Sequence, residues 1–522
     1  MSNATESLPR LADLAEPERG ERFVRLQERM LPVWDAMGRD VPGESIVVVP
    51  SVTPDPARTG AILQAYEERF LFLLLLLRQP SLHVVYVTGR PVEPAIVDYY
   101  LGLLPGVIAS HARRRLHMVA AHDGSARPLA AKLLERPRLL AEVRALIPDP
   151  SLCHLVPYST TALERDLALS LGVPLYGADP RLLPMGTKTG CRRLFAAAGV
   201  THPLGREDVR TVGDVVAAIA EMRGLRPGMA RAVVKLDEGV SGRGNAIVDL
   251  RGLPAPGSPD ERAEIRRRVE GMALEHQGTP LDAYLARLAA DGGIVEEHVA
   301  GEEVRSPSVQ LRVTPLGEVE LLSTHDQVLG GPSGQSFVGC RFPADPGYAA
   351  AITDEAGRIG ALLARKGVLG RFAVDFVVVR EADGPWRPYA IEVNLRKGGT
   401  THPFLTLQFL TDGTYDAATG AFTAPGGRAK HLVATDHLES ELLRGMTVDD
   451  LFDVAVRRRL HYHHARQTGV VFHMMGALSE LGLLGFTAVG DSPDEADALF
   501  RRVERLLLEE AAAMPEPVLP PV

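Results

Sequence analysis

The chain has 522 residues and a formal net charge of −9, with 45 % hydrophobic and 24 % charged residues. This composition excludes a disordered or fibrous chain and is typical of a globular protein of about three domains. Because an acidic average surface repels the phosphates of nucleic acids, we expect no nucleic-acid partner.

The three cysteines, Cys153, Cys191 and Cys340, lie far apart and form no CxxC pair. They predict neither a disulfide framework nor a structural zinc site, and they fit a reducing cytoplasm. The polar, acidic residues 1–22 do not resemble a secretory signal. The longest apolar run, residues 70–77, is well short of the ~20 residues that span a bilayer. We therefore predict a cytoplasmic protein without membrane insertion.

Strands and helices alternate between residues 44 and 176. Four apolar segments, SIVVVPS, LHVVYVTG, LHMVAAHD and CHLVPYS, are predicted strands. A buried helix ending before Pro80 and helices over residues 92–104 and 128–146 are predicted between them. The alternation predicts an open, largely parallel α/β sheet. Its strand ends carry no complete nucleotide fingerprint, so we interpret the region as a scaffold or a substrate platform.

The pattern changes at an amphipathic helix, residues 188–198, which ends at Gly199 and is followed by β-rich segments. A loop rich in Gly and Ala over residues 415–430 marks a later, second boundary. A last amphipathic helix is predicted over residues 492–513. The predicted divisions of the chain are residues 1–182, 183–414 and 415–522.

The segment AVVKLDEGVSGRGNAIV predicts two strands joined by a glycine-rich loop. The first strand carries Lys235, and Gly242, Arg243 and Gly244 lie in the loop. Glycines let backbone N–H groups approach phosphate oxygens closely, while lysine and arginine supply positive charge. Neither a dinucleotide fingerprint nor a Walker loop is present. We predict a flap over phosphates, with an ordinary glycine-rich hairpin as the alternative.

The segment GIVEEHVAGEEV predicts a strand that reaches Glu296 and Glu297, followed by a turn and Glu303. Its backbone groups suit a purine, and its carboxylates suit the hydroxyls of a ribose. A solvated, charged strand edge is the alternative.

The segment GRFAVDFVVVREADGPWRPYAIEVNLRKGGTTHP predicts a hairpin with its turn at Asp383-Gly384. A hairpin symmetric about that turn places Asp375 opposite Glu392, and Asn394 shares the face of Glu392. Facing carboxylates repel each other without a cation, and oxygen ligands suit Mg²⁺ held together with nucleotide phosphates. A sheet edge whose acids pair with arginines is the alternative.

Positive charge follows these acids directly, because Arg396 and Lys397 precede a Gly-Gly turn. Positive charge beside a cation site can hold a carboxylate substrate and its acyl-phosphate. We therefore predict an anion clamp at this position.

Taken in order, these elements resemble the ATP-grasp superfamily over residues 183–410. More narrowly, EVNLRKGGTTHPF, STHDQVLGG and TGVVFHMMGAL resemble the ATP-grasp peptide ligases of the pheganomycin type. The resemblance implies a mixed α/β and α+β architecture. A Rossmann-like pre-ATP-grasp domain would precede an ATP-grasp fold, whose two α+β subdomains hold ATP between them.

The resemblance also implies roles for the residues that contact phosphate. Lys188 and Lys235 match the two phosphate-contacting lysines of the family. The loop that contains Gly242, Arg243 and Gly244 matches its mobile phosphate loop.

The remaining family positions concern the nucleoside, the metal and the transferred group. Glu296 and the backbone of Val299 match adenine contacts, and Glu303 matches the ribose-binding acid. The metal ligands Asp375, Glu392 and Asn394 would hold Mg²⁺, or Mn²⁺ in its place. Arg396 matches the basic residue beside the transferred phosphoryl group, and it and Lys235 are the implied catalytic residues. The hinge reads Glu-Glu-His, whereas relatives often have lysine second.

The function implied is an ATP-dependent carboxylate–amine ligase that works through an acyl-phosphate and releases ADP and phosphate. The substrates would be a small carboxylate and an amine, such as amino acids or peptides. A phosphotransferase of the same fold and a nucleotide-binding protein without turnover are the alternatives. His325 and His402 are candidates for the base that deprotonates the amine, with structural histidines as the alternative. The segment 469–484 is interpreted as packing, and the sequence leaves the oligomeric state open.

Overall fold

The computed structural model describes residues 11–37, 39–52, 60–239, 244–275, 278–330 and 336–513. The first sheet has four parallel strands in the order β3-β2-β1-β4, which confirms the predicted parallel α/β sheet. Its buried valine-rich strands are typical of a sheet covered on both faces. The elements are α1 (Glu16–Gln27), α2 (Met30–Ala36), β1 (Ser45–Val49), α3 (Gly60–Glu68), β2 (His83–Thr88), α4 (Pro94–Gly102), α5 (Ala109–Arg113), β3 (Leu116–Ala120), α6 (Leu129–Leu134), α7 (Pro137–Ala145), β4 (Cys153–Pro157) and α8 (Ala162–Leu171).

Two helices of this region differ from the predictions. The expected single helix before Pro80 is α3 followed by a 3-10 helix, Leu71–Arg78. At the junction the carbonyl of Glu67 accepts a hydrogen bond from the Tyr86 hydroxyl at 2.6 Å, so the α-helical pattern does not continue. The helix predicted over residues 128–146 is split into α6 and α7 because Pro137 begins a new helix. The predicted burial of the apolar run is confirmed.

The next region forms a small lobe around an antiparallel sheet in the order β5-β9-β6-β7-β8. One face of this sheet is covered by apolar side chains of helices, which form a separate core with it. Gly199, at φ 64°, ends the first helix as the sequence predicts. The elements are α9 (Lys188–Ala198), β5 (Gly205–Val209), α10 (Val212–Leu225), β6 (Arg231–Leu236), β7 (Asn245–Asp249), α11 (Glu261–Val269), β8 (Ala273–Leu274), α12 (Leu281–Asp291) and β9 (Gly293–Glu297).

The rest of the chain builds a nine-stranded antiparallel sheet, which we call the large sheet. Its order is β10-β14-β11-β12-β13-β18-β20-β19, and β15 pairs with β14. None of the described helices is long and apolar enough to cross a membrane. The elements are β10 (Glu303–Arg305), β11 (Pro307–Val313), β12 (Val319–Gly330), β13 (Ser336–Phe342), α13 (Pro346–Arg365), β14 (Gly370–Arg380), β15 (Arg387–Asn394), α14 (Thr401–Thr411), β16 (Thr414–Asp416), β17 (Ala421–Thr423), β18 (His431–Glu439), α15 (Val448–Arg457), β19 (Gly469–His473), α16 (Leu478–Leu481), β20 (Leu483–Gly490) and α17 (Pro493–Ala512).

Helix α9 joins the small lobe to the large sheet. Its apolar side chains, including Leu194 and Phe195, pack in the same core as β11 and β14. Its polar side chains reach both lobes, because Lys188 contacts β15 and Arg192 contacts β9. Helix α9, with its cationic side chains, therefore lies between the small lobe and the large sheet. We call the space between these two regions the cleft.

Candidate active site

The β14–β15 hairpin brings the predicted metal ligands together. Asp375 lies opposite Glu392 in the strand register, although the ladder is irregular directly after Asp375. The Nδ2 amide of Asn394 donates a hydrogen bond to Oδ2 of Asp375 at 3.1 Å. The predicted register and the shared face are therefore confirmed, while metal binding by these residues stays a prediction.

The charges of this cluster depend on each other. Burial, and then the neighbouring Glu392, raise the pKa of Asp375 to about 6. Burial also disfavours the charged form of Glu392, but Lys188 holds the pKa of Glu392 below its usual value. Lys188 Nζ lies 2.6 Å from Glu392 Oε1. Lys188 is thus ion-paired with Glu392, while Asp375 faces Glu392 without an ion-paired cation in the described part of the chain.

This donor set fits a divalent ion whose coordination is completed by nucleotide phosphates. Mg²⁺ prefers oxygen ligands and usually takes one or two carboxylates from the protein. Within the described part of the chain, no group of three or more His, Cys, Asp or Glu residues could hold a metal alone. Two carboxylates with an amide oxygen beside them are the set that such shared coordination requires.

Lys235, the second predicted phosphate ligand, is ion-paired inside the small lobe. Its Nζ lies 2.7 Å from Glu296 Oε2, and Arg192 Nη1 lies 2.8 Å from Glu296 Oε1. Glu296 is only 1 % exposed, and burial alone would raise its pKa. The two cations instead hold the pKa of Glu296 below its usual value. The sequence reasoning missed Arg192, whose only signal was its place one helical turn after Lys188.

The flap is described only at its base. Gly242 and Arg243 lie outside the described residues. Gly239 and Gly244 approach each other so closely that a Cβ on either would lie 3.0–3.2 Å from the other's Cα, which explains why glycine occupies both positions. The base also contacts α9, because the Thr189 N–H donates to Oδ1 of Asp237 at 2.7 Å. The predicted loop therefore begins and ends beside Lys188.

The predicted nucleoside contacts Val299 and Glu303 follow β9 in the chain. Val299 is half-buried in the connection between β9 and β10. Glu303 begins β10, and its Oε1 accepts hydrogen bonds from Arg380 at 2.8 Å and 2.5 Å. The carboxylate of Glu303 is therefore held beside β14, the strand that carries Asp375.

Arg396 contacts Tyr158, a residue of the first predicted division of the chain, residues 1–182, which we call the first domain. The sequence reasoning did not predict this contact. Arg396 Nη1 donates to the hydroxyl of Tyr158 at 3.3 Å and to the carbonyl of Lys397 at 3.1 Å. Arg396 is close enough for its charge to favour ionisation of both Asp375 and Glu392. Tyr158, which the sequence reasoning missed, follows β4 directly. Open α/β sheets place ligands at strand ends of this kind.

The two candidate histidine bases are deeply buried. His325 packs against Phe342 with ring centroids 5.0 Å apart, and burial lowers its pKa to about 3. His402 Nε2 lies 3.0 Å from His473 Nε2, and burial, with His473 beside it, lowers the pKa of His402 well below its usual value. These contacts favour the structural interpretation of both histidines.

Two family sequence models match the chain. The one described as IQCH-like, ATP-grasp matches residues 183–270 and 279–418, which carry the cleft. The one described as PGM1 C-terminal domain matches residues 450–503. Together they cover the small lobe and most of the large sheet, including the segment after β18.

Both curated proteins and solved structures are similar to the chain. An L-propargylglycine–L-glutamate ligase of Streptantibioticus cattleyicolor is 32 % identical over 84 % of this chain and 89 % of its own length. IQ motif-containing protein H of Danio rerio is 25 % identical over 67 % of the chain, which spans 37 % of that protein.

The solved structures show the same fold at low sequence identity. A biotin carboxylase–ATP complex from Campylobacter jejuni has a TM-score of 0.53 at 11 % identity and covers 90 % of this chain and 95 % of its own. The biotin carboxylase domain of a Hydrogenobacter thermophilus 2-oxoglutarate carboxylase has a TM-score of 0.52 at 13 % identity, over 88 % and 89 %. With the ligase relative, these findings show that the chain belongs to the ATP-grasp superfamily and, within it, to the pheganomycin-type peptide ligases, which use ATP to join a carboxylate to an amine.

Proposed function

We propose that this ligase activates the carboxylate of an amino acid or small peptide and joins it to the amine of a second one. The observation that carries the proposal is the single cluster formed by Asp375, Glu392, Asn394 and Lys188, with Arg396 beside it. The ligase relative, whose name contains two amino acids, supports this class of substrate.

Asp375, Glu392 and Asn394 would hold Mg²⁺, or Mn²⁺, together with the phosphates of ATP. When bound, such an ion neutralises charge on the phosphoryl oxygens and so favours transfer of the phosphoryl group. Among the described residues Lys188 is ion-paired with Glu392, whereas Asp375 has no ion-paired cation, so an added cation would stabilise the two facing carboxylates. This arrangement supports the metal role assigned to all three residues.

The nucleotide would lie between the lobes. Lys188 and Lys235 each hold an ammonium group at the cleft, and the triphosphate would replace or share their present carboxylate partners. The flap with Gly242, Arg243 and Gly244 would cover the phosphates and exclude water, which would otherwise hydrolyse an acyl-phosphate. On the nucleoside side, Glu296, Val299 and Glu303 would line the adenosine.

The reaction then needs two displacements. A carboxylate oxygen of the acid attacks the γ-phosphorus of ATP, the bond to the bridging oxygen of ADP breaks, and an acyl-phosphate forms. The amine nitrogen next attacks the acyl carbon, the bond to phosphate breaks, and the nitrogen loses a proton. Arg396 and Lys235 would stabilise negative charge on the phosphoryl oxygens, so no covalent enzyme intermediate is required.

We further propose a cytoplasmic location, which the three free, buried cysteines support. The proposed substrates are small molecules. Light scattering would measure the oligomeric state of the ligase.

The test is a hydroxylamine-trapping screen of amino acids and small peptides with ATP and Mg²⁺. We expect a hydroxamate with one class of acid, and ADP with orthophosphate only when an acid and an amine or hydroxylamine are both present. A phosphorylated product that persists would favour a phosphotransferase. Orthophosphate release that depends on neither partner would contradict the proposal.

The variant Glu392→Gln removes one of the facing carboxylates while keeping its shape. We expect turnover to fall by at least about 100-fold, because the site loses a metal ligand and the partner of Lys188. Glu510→Gln is the control, since Glu510 is ion-paired with Arg457 and Arg458 at the end of α15 and lies outside the cleft. Equal activity of the two variants would remove the metal assignment.

A further inference from the structure

The contact between Tyr158 and Arg396 joins the first domain to the ligase cleft. Tyr158 is half-buried directly after β4, and Arg396 follows β15. The Arg396 guanidinium lies 5.7 Å from the centre of the Tyr158 ring and donates to its hydroxyl at 3.3 Å. A guanidinium within about 6 Å of an aromatic ring is attracted by the ring's quadrupole. One side chain therefore holds Arg396 in two ways.

A second arginine meets the same tyrosine. Arg69 lies 5.6 Å from the Tyr158 ring centre, and its Nη2 donates to the hydroxyl at 3.4 Å. Arg69 is buried and lies 2.5 Å from Oδ2 of Asp436 on β18. The charge of Arg69 is thus neutralised by a buried carboxylate from the other end of the chain.

Arg396 is paired differently. Within the described ranges of the chain, Arg396 forms no ion pair, and its hydrogen bonds go to a phenol and a backbone carbonyl. These neutral acceptors fix the direction of the guanidinium without cancelling its charge. The buried carboxylate of Asp436 is instead ion-paired with Arg69.

We infer that Tyr158 is a positioning residue, through which the first domain holds the charged guanidinium of Arg396 toward the transferred phosphoryl group. The inference rests on the proposed role of Arg396. It gives the first domain a part in the chemistry, beyond that of a scaffold. Side-chain positions that are fixed before the reaction need no reorganisation when charge develops, which is how a positioning residue raises the rate.

The first test measures orthophosphate binding to the MgADP-loaded protein by isothermal titration calorimetry. We expect the dissociation constant to rise about tenfold in Tyr158→Phe, which keeps the ring but loses the hydroxyl. Arg396→Lys should weaken binding by a similar factor or more. In the Arg396→Lys background, Tyr158→Phe should raise the dissociation constant for orthophosphate by less than about twofold, because the effect of Tyr158 acts through Arg396.

Tyr415→Phe is the matched control. Tyr415 is also half-buried, and its hydroxyl lies 2.7 Å from Thr324 Oγ1, within hydrogen-bonding distance, but it does not contact Arg396. We expect phosphate binding to change less than about twofold in this variant. Similar thermal denaturation midpoints for the two Tyr→Phe variants would show that lost stability does not explain the difference.

The second test uses an acid and amine pair from the hydroxylamine screen. We expect Tyr158→Phe to lower kcat about tenfold and to leave KM for ATP within about twofold, because the charge that Arg396 stabilises develops as the phosphoryl group is transferred. Equal effects of Tyr158→Phe with arginine or lysine at position 396 would overturn the inference. So would wild-type phosphate affinity in Tyr158→Phe, or no measurable phosphate binding to the wild type. A wild type that binds phosphate but yields no ligation product would contradict the proposed function alone.

Discussion

The pairing of Glu296 with Lys235 and Arg192 allows a quantitative test of the small lobe. The variant Glu296→Gln keeps the side-chain shape but removes the negative charge that both cations share. Arg192 retains Glu207 at 2.7 Å, whereas Lys235, 9 % exposed, loses its carboxylate. Breaking a buried ion pair by removing one partner costs about 3–5 kcal/mol. We expect the small lobe to lose about 3 kcal/mol of stability.

Hydrogen exchange followed by mass spectrometry measures this loss locally, as the opening free energy of peptides from β6 and β9. Glu297→Gln is a control on the same strand. Glu297 is buried like Glu296, but its partner Arg226 is 55 % exposed, so this variant leaves no buried charge unpaired and should cost about 1 kcal/mol or less. The double variant Lys235→Met/Glu296→Gln should be less destabilised than the sum of the single variants, since it leaves no unpaired lysine. Equal losses for Glu296→Gln and Glu297→Gln, or strict additivity, would refute the reasoning.

Two further predictions concern the contacts of α3 with the C-terminal segment. Burial raises the pKa of Glu68 from 4.5 to about 7, so this carboxyl contributes stability below pH 4.5 that is lost as the pH rises through 7. The loss is up to about 3.4 kcal/mol. Urea denaturation at pH 5 and pH 8 should show a smaller difference for Glu68→Gln than for the wild type; an unchanged difference would contradict the burial argument. Arg69→Met leaves Asp436 buried without its arginine and should lower the free energy of unfolding by about 3–5 kcal/mol. A loss below about 1 kcal/mol in urea denaturation would show that His437, whose Nδ1 lies 2.5 Å from Asp436 Oδ1, is sufficient to compensate the carboxylate.

The metal hairpin was predictable because its geometry is local. Strand alternation and one turn signal determine which residues of a hairpin face each other. The register Asp375–Glu392 follows from those two facts, and the structure has it. Helix α9 was predictable for a similar reason, because its end is signalled locally by Gly199, the residue directly after it.

The partners of the site residues could not be predicted in this way. Arg192 and Glu296 are 104 positions apart, Tyr158 and Arg396 are 238 apart, and Arg69 and Asp436 are 367 apart. No periodicity relates residues at such separations, so only the packing of three regions brings them together. A distant contact also explains why the helix before Pro80 is split. The hydroxyl of Tyr86 on β2 donates a hydrogen bond to the carbonyl of Glu67.

The packing of the first domain against the rest of the chain determines how firmly Tyr158 is positioned. The 3-10 helix Leu71–Arg78 shares one hydrophobic core with β13, α14, β20 and α17, so all three predicted divisions of the chain contribute to it. A close-packed apolar interface resists sliding, because any displacement opens voids or forces side chains from their preferred rotamers. A domain on a hinge would vary its distance from the cleft. Val156 of β4 belongs to this shared core, which therefore holds β4 against the large sheet, and a hydroxyl at the end of β4 can position Arg396.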